Sequence, residues 1–136
     1  MRITCVTLLA AAIVATSVPV VAHHASQAEF DKNTPKTIEG VMTRVQWTNP
    51  HVRWYLDIKN EKGEVDTWMI QGSAPGVYRA NGISAAGVFP IGKSYTVLIA
   101  PARDGSNGGY AMSWTFPDGT KMDFWHDYGD GSGERP

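Results

Sequence analysis

The chain of 136 residues has a single cysteine, Cys5, and no apolar run long enough to cross a bilayer after Val21. Cys5 lies in an N-terminal segment that we expect to be removed, so the mature chain would have no thiol for catalysis, a disulfide or haem attachment. Basic residues are not in excess either, with 12 Lys and Arg against 13 Asp and Glu. We therefore expect neither a nucleic-acid partner nor membrane insertion of the mature protein.

The patterns of common catalytic and binding sites are also missing. The glycine-rich stretch 105–109 lacks the Lys-Ser or Lys-Thr of a phosphate loop, and no serine lies in a Gly-x-Ser-x-Gly motif. The acidic residues near the C terminus lack the spacing of a calcium loop, and no close pair of carboxylates indicates acid–base catalysis. The sequence therefore predicts that the protein is not an enzyme.

The N terminus has the features of a secretion signal. A positive start, Met1-Arg2, precedes the uncharged residues 3–21, and a small-residue cleavage pattern ends at Ala22. Cleavage there would leave a mature domain that begins at His23. We therefore expect a periplasmic or secreted protein that is soluble after cleavage.

Two adjacent histidines, His23 and His24, would then form the mature N terminus. An N-terminal histidine offers a metal its α-amine and its imidazole, and the second histidine adds another nitrogen. Together with His51 they would make a nitrogen-rich site suited to copper or zinc, the cofactors that this pattern suggests. The alternative interpretation is that the histidines merely follow the cleavage site.

Runs of β-branched residues, alternation of apolar and polar residues, and turn signals predict six strands and one short helix. The predicted strands are 37–47, 52–59, 65–71, 94–100, 109–116 and 121–125, and the helix lies within 73–81. Gly40 predicts a bend or bulge in the long first strand, and Ser73 is the predicted cap of the helix. In the second strand the predicted buried face consists of Val52, Trp54, Leu56 and Ile58.

This order of elements predicts an all-β fold, a small antiparallel OB-fold-like Greek-key barrel of five to six strands with one short helix. An immunoglobulin-like sandwich would need about seven strands and no helix. Phe30, the only large apolar residue before the first strand, is the predicted anchor of an N-terminal arm. The predicted organisation is a signal peptide (1–22), the arm (23–36), the barrel (37–126) and a flexible C-terminal tail (127–136).

Four stretches of the sequence form a recognisable set: Ala22-His23-His24-Ala25-Ser26, Glu29-Phe30-Asp31, Gly40 to His51, and Asp104-Gly105-Ser106-Asn107. This set resembles a family of short secreted bacterial proteins of unknown function. The strand plan is more distantly similar to periplasmic bacterial OB-fold proteins associated with stress tolerance. The resemblance implies an OB-fold-like protein outside the cytoplasm and brings no established activity.

In an OB fold, the loop between the first two strands and the loop between the fourth and fifth strands flank the ligand-binding face. We therefore predict a ligand site built from these loops and the adjoining strand. Its residues are Trp47, Asn49, His51, Trp54, Arg103, Asp104 and Asn107. The alternative is a simple turn, in which the imidazole of His51 bonds the backbone and the tryptophans fill the barrel.

Three functions follow from these patterns. The first is a non-enzymatic binding module for a small molecule or a partner protein in the cell envelope. The second is a Cu(II)- or Zn(II)-binding protein that uses His23, His24 and His51. The third is an adaptor in a larger envelope complex, for which an exposed apolar patch would be expected.

Overall fold

A computed structural model of the protein describes residues 28–83 and 86–123. These two ranges contain six strands, an α-helix and a short 3₁₀ helix at Ala86–Val88. In chain order the others are β1 (Lys36–Gln46), β2 (Arg53–Lys59), β3 (Val65–Gln71), α1 (Pro75–Ala80), β4 (Ser94–Pro101), β5 (Gly108–Thr115) and β6 (Lys121–Asp123). All were predicted to within a residue or two. The predicted signal peptide, His23, His24 and the C-terminal tail lie outside the described residues.

Five of these strands form a closed barrel, and β6 adds to β5 outside it. The order of hydrogen-bonded neighbours is β3-β2-β1-β4-β5, and β3 returns to pair with β5. That closing pair is parallel and joins Met69–Gln71 to Gly108–Tyr110, so the barrel is mixed and the predicted wholly antiparallel arrangement needs this correction. The result is an OB-fold-like all-β barrel with one short helix.

The long strand β1 serves both sides of the barrel. Its first half, up to Val41, pairs with β4, and its second half pairs with β2. The bulge lies between Met42 and Arg44, a few residues after the predicted position. Gly40 has a different role: a Cβ there would lie 2.7 Å from Ile58 Cγ1 and 2.8 Å from a backbone oxygen of β2, so the absence of a side chain allows close packing.

The interior of the barrel is rich in aromatic rings. As predicted, Val52, Trp54 and Leu56 are fully buried, while Ile58 is half-buried against the same core. The ring of Trp54 lies 5.1 Å from that of Trp114, centroid to centroid. The other aromatic side chains of this core are Tyr78, Phe89 and Tyr95, with Trp47, Trp68 and Phe116 partly buried against it.

Helix α1 begins differently from the prediction. The residue before it, Ala74, makes no side-chain capping bond, and Pro75 occupies the first turn, where its missing N–H costs nothing. Ser73 is not the cap because its hydroxyl instead hydrogen-bonds the hydroxyl of Tyr110 at 2.6 Å. The predicted stop is confirmed, since the chain leaves the helix through Asn81 and then Gly82, which has a φ of 84°.

Candidate functional site

The β1–β2 loop, residues 47–52, holds the imidazole of His51 in one orientation. Its Nδ1 lies 3.0 Å from the carbonyl oxygen of Gly72. A carbonyl oxygen can only accept a hydrogen bond, so in the neutral ring Nδ1 carries the hydrogen and Nε2 keeps its lone pair. The structure therefore has the backbone bond expected of a turn and also an Nε2 atom that this bond leaves available.

Backbone hydrogen bonds fasten this loop to the segment that follows β3. The N–H of Val52 donates to the carbonyl of Ser73 at 3.0 Å, and the N–H of Gly72 donates to the carbonyl of Val52 at 2.9 Å. Asn49, exposed in the same loop, precedes Pro50 through a cis peptide bond. Val52 is buried, so alternation puts His51 on the outer side of the barrel with Arg53.

The two tryptophans of the predicted site do not lie on a ligand face. Trp54 has no exposed surface and sits in the core, because strand alternation directs it inward. Trp54 therefore cannot contact a ligand on the outer surface of the barrel. Trp47 is half-buried, packs 5.5 Å from the ring of Tyr78, and has a buried indole N–H. Only part of its ring surface is open to a ligand, and its hydrogen-bond donor is not.

Two of the three residues predicted on the β4–β5 loop have polar contacts within the protein. Arg103 lies 3.5 Å from a carboxylate oxygen of Asp31, and the Asp104 carboxylate accepts the backbone N–H of Ser106 at 2.9 Å. Hydrogen bonds from the side chain and backbone of Ser106 lower the pKa of Asp104. The Asn107 side chain is exposed. An ion pair with the arm thus accounts for Arg103, and a turn bond accounts for Asp104.

The β4–β5 loop bonds strand β3, whereas the β1–β2 loop bonds the segment that follows β3. The carbonyl of Asn107 accepts the N–H of Met69 at 3.1 Å, while the N–H of Val52 donates to the carbonyl of Ser73, four residues further along the chain. Within the described chain no hydrogen bond or ion pair joins side chains of the two loops. Separate sets of hydrogen bonds therefore position the two loops.

A group of polar residues that the sequence did not single out lies beside the β1–β2 loop, on the outer side of β1 and β2. We call Arg44, Gln46, Arg53 and Tyr55 the arginine face. The guanidinium carbon of Arg44 lies 3.7 Å from the centre of the Tyr55 ring, and the Tyr55 hydroxyl donates to Gln46 Oε1 at 2.8 Å. Alternation in the sequence already indicated that Arg53 and Tyr55 point outward. Arg44 and Gln46 lie on the same outer side because the bulge in β1 shifts the register by one residue.

The N-terminal arm is anchored as predicted. Phe30 is buried, pairs with Ala102 in an isolated bridge and packs 5.9 Å from the ring of Tyr110. Backbone bonds on both sides of Phe30 add to this, from Asp31 N–H to the Pro101 carbonyl and from the Arg103 N–H to the Glu29 carbonyl. Tyr110 in turn bonds Ser73, next to the residue that orients His51.

In residues 28–83 and 86–123, no three or more His, Cys, Asp or Glu side chains lie close enough together to hold a metal ion. No helix in this part of the chain is both long enough and apolar enough to span a membrane.

Comparison with known proteins identifies a family but no activity. No curated protein matches the sequence, and no solved structure matches the fold. The sequence does match a family described as "Family of unknown function (DUF6152)" over residues 11–111, which is most of the chain. The protein therefore belongs to the family of unknown function DUF6152.

Proposed function

We propose that the protein is a non-enzymatic binding module of the cell envelope, periplasmic or secreted, that holds a small ligand on the arginine face. The observation that carries this proposal is a set of polar groups held in fixed positions on the outer side of an OB-fold-like barrel. Arg44 is stacked on Tyr55, Tyr55 is bonded to Gln46, and His51 at the edge of the face is oriented by Gly72. Side chains held in one rotamer lose less entropy when a ligand binds.

Amide NMR of the purified protein tests the proposal. Titration with the small-molecule fraction of an envelope extract should shift the resonances of Arg44, Arg53, Tyr55 and His51. The β5–β6 turn around Asp118, which belongs to neither β1 nor β2, is the internal control, and its resonances should not shift. Shifts confined to other surfaces, or none at all, would contradict the proposal. Mass spectrometry of the bound compound should recover it unchanged, whereas conversion to a product would indicate an enzyme.

A second candidate, copper or zinc binding, is favoured by the geometry of His51. A histidine that donates Nδ1–H to a backbone carbonyl has the tautomer that metal-binding histidines use, with Nε2 as the ligand. The arm that carries His23 and His24 is anchored at Phe30, six residues beyond His24. A chain of that length spans at most about 20 Å, so this candidate requires the β1–β2 loop to lie within that distance of Phe30.

Calorimetric titration with Cu(II) tests this candidate. We predict about one bound equivalent, weaker binding by His51→Ala, and weaker binding in acid, because a protonated imidazole has no lone pair to offer the metal. Extension of the mature N terminus by one residue displaces the α-amine while keeping every side chain. If the extended protein and His51→Ala, both folded by NMR, bind copper as the parent does, this metal site does not exist.

A further inference from the structure

The arginine face carries two positive charges, on Arg44 and Arg53. Neither Arg44 nor Arg53 forms an ion pair with a carboxylate in the described part of the chain. The register pairs Arg44 with Tyr55 and Gln46 with Arg53, so the two arginines occupy diagonal positions on neighbouring strands. Diagonal residues of this kind have Cα atoms on the order of 7 Å apart, within reach of one small ligand. Two like charges so placed repel each other unless an anion lies between them.

One acid, Asp57, lies on the outer side of β2 next to this face, but within the described residues it forms no ion pair with either arginine. Asp57 follows Tyr55 on the outer side of β2, but its Oδ1 accepts the hydroxyl of Thr67 at 2.7 Å, towards β3. Its backbone partner in β1 is Val41, before the bulge, whereas Arg44 lies after it. The bulge thus lies between Arg44 and the β1 partner of Asp57.

The remaining groups of the face are hydrogen-bond donors. The stack on Tyr55 engages one flat side of the Arg44 guanidinium and leaves its N–H edges open, since these lie in the plane of the group. The Oε1 atom of Gln46 is used by the Tyr55 hydroxyl, so the amide of Gln46 presents N–H groups. A surface with two guanidinium groups and an amide N–H₂ is complementary to a chemical group that only accepts hydrogen bonds.

We infer that the arginine face binds an oxyanion, a carboxylate or phosphate group of a small molecule, between Arg44 and Arg53. Guanidinium groups bind such oxygens through paired, charge-assisted hydrogen bonds. Gln46 would donate a further bond from the adjacent position. This inference rests on the proposed function and adds to it the chemical class of the ligand.

Calorimetry with three probes tests the inference: inorganic phosphate, citrate, and vesicles that contain phosphatidylglycerol. Arg44→Gln and Arg53→Gln should each weaken binding by about tenfold or more, the effect of losing one charge-assisted contact. Arg79→Gln is the matched control, because it removes the same charge from an exposed position on α1 and should change affinity less than about twofold. Thermal unfolding of each variant should stay close to that of the parent, since both arginines lie on the outer surface.

The outcomes separate this inference from the proposed function. Binding of phosphate or citrate that depends on both arginines supports a free oxyanion, and arginine-dependent binding of vesicles alone identifies a lipid headgroup as its source. If no probe binds, or if both face variants bind as the parent does, the inference is wrong. In that case, shifts of the face with the envelope extract would show that the proposed function still holds with a ligand of another class.

Discussion

At the scale of single residues, close packing restricts which side chain a position can hold, and Gly72 is an example. Gly72 contributes the carbonyl that orients His51, and its α-carbon lies against two buried rings. An added Cβ would collide with the hydroxyl oxygen of Tyr78 and would lie 2.6 Å from Cζ3 of Trp54. The same tyrosine hydroxyl accepts the N–H of Ser73 at 2.9 Å, so it is not free to move away.

Gly72→Ala should therefore lower the free energy of unfolding by about 1–3 kcal/mol, the usual range for overpacking. Urea unfolding measures this change. Gly76→Ala is the matched control, because the nearest atom to its Cβ, on Arg79, lies 3.9 Å away, and alanine is the better helix former. A Gly72→Ala protein as stable as Gly76→Ala would show that the segment after β3 is not packed as described.

At the scale of one element, the arm shows how a short polar segment is fixed to a barrel. Phe30 provides the apolar contact, and Asp31 organises the turn that follows. The Asp31 carboxylate accepts the Thr34 hydroxyl at 2.9 Å and the Asn33 N–H at 3.1 Å. These bonds, with a smaller effect of Arg103, lower the pKa of Asp31 below its ordinary value of 3.8.

The pH dependence of the arm follows from the direction of this shift. A carboxylate whose pKa is lowered by folding stabilises the folded form fully above its ordinary pKa and loses that effect as the pH falls through the folded value. We predict that the arm loosens below about pH 3.8. NMR signals of Phe30 should report this transition, because the ring lies 5.9 Å from that of Tyr110.

Two substitutions check the assignment of this transition. Asp31→Asn should remove it from the Phe30 signals. Asp118→Asn is the control, because Asp118 has a similarly lowered pKa from its bonds to Thr120 but lies on the β5–β6 turn. If Asp31→Asn leaves the transition unchanged, another carboxylate holds the arm.

For the whole molecule, the decisive contact is the short parallel pairing of β3 with β5 that closes the barrel. Gly108 lies at its start, and a Cβ there would lie 2.9 Å from the carbonyl oxygen of Met69. That oxygen belongs to the backbone, so only movement of a strand would relieve the contact. The glycine allows β5 to lie close enough to β3 for closure.

Gly108→Ala should therefore destabilise the protein by about 1–3 kcal/mol and speed hydrogen exchange of the Met69 amide, which bonds Asn107. Gly87→Ala, at a site where a Cβ meets no atom within 4 Å, is the control for the loss of a glycine. Destabilisation without faster exchange at Met69 would place the effect elsewhere than at the closure.

The sequence by itself determined the strands, the helix and the anchor of the arm. Alternation, turn residues and the isolation of Phe30 are local patterns, readable because each depends on a few neighbouring positions. The order of these elements was also enough to predict an OB-fold-like barrel, now seen in the described residues.

Only the tertiary structure decided which side chains meet. The bulge after Met42 adds one residue to β1, and a shift of one residue exchanges the two faces of a strand. That is why Arg44 stacks on Tyr55, a pairing that the alternating pattern does not contain. The role of Gly72 at His51 likewise depends on contact between segments about twenty positions apart, which no local pattern encodes.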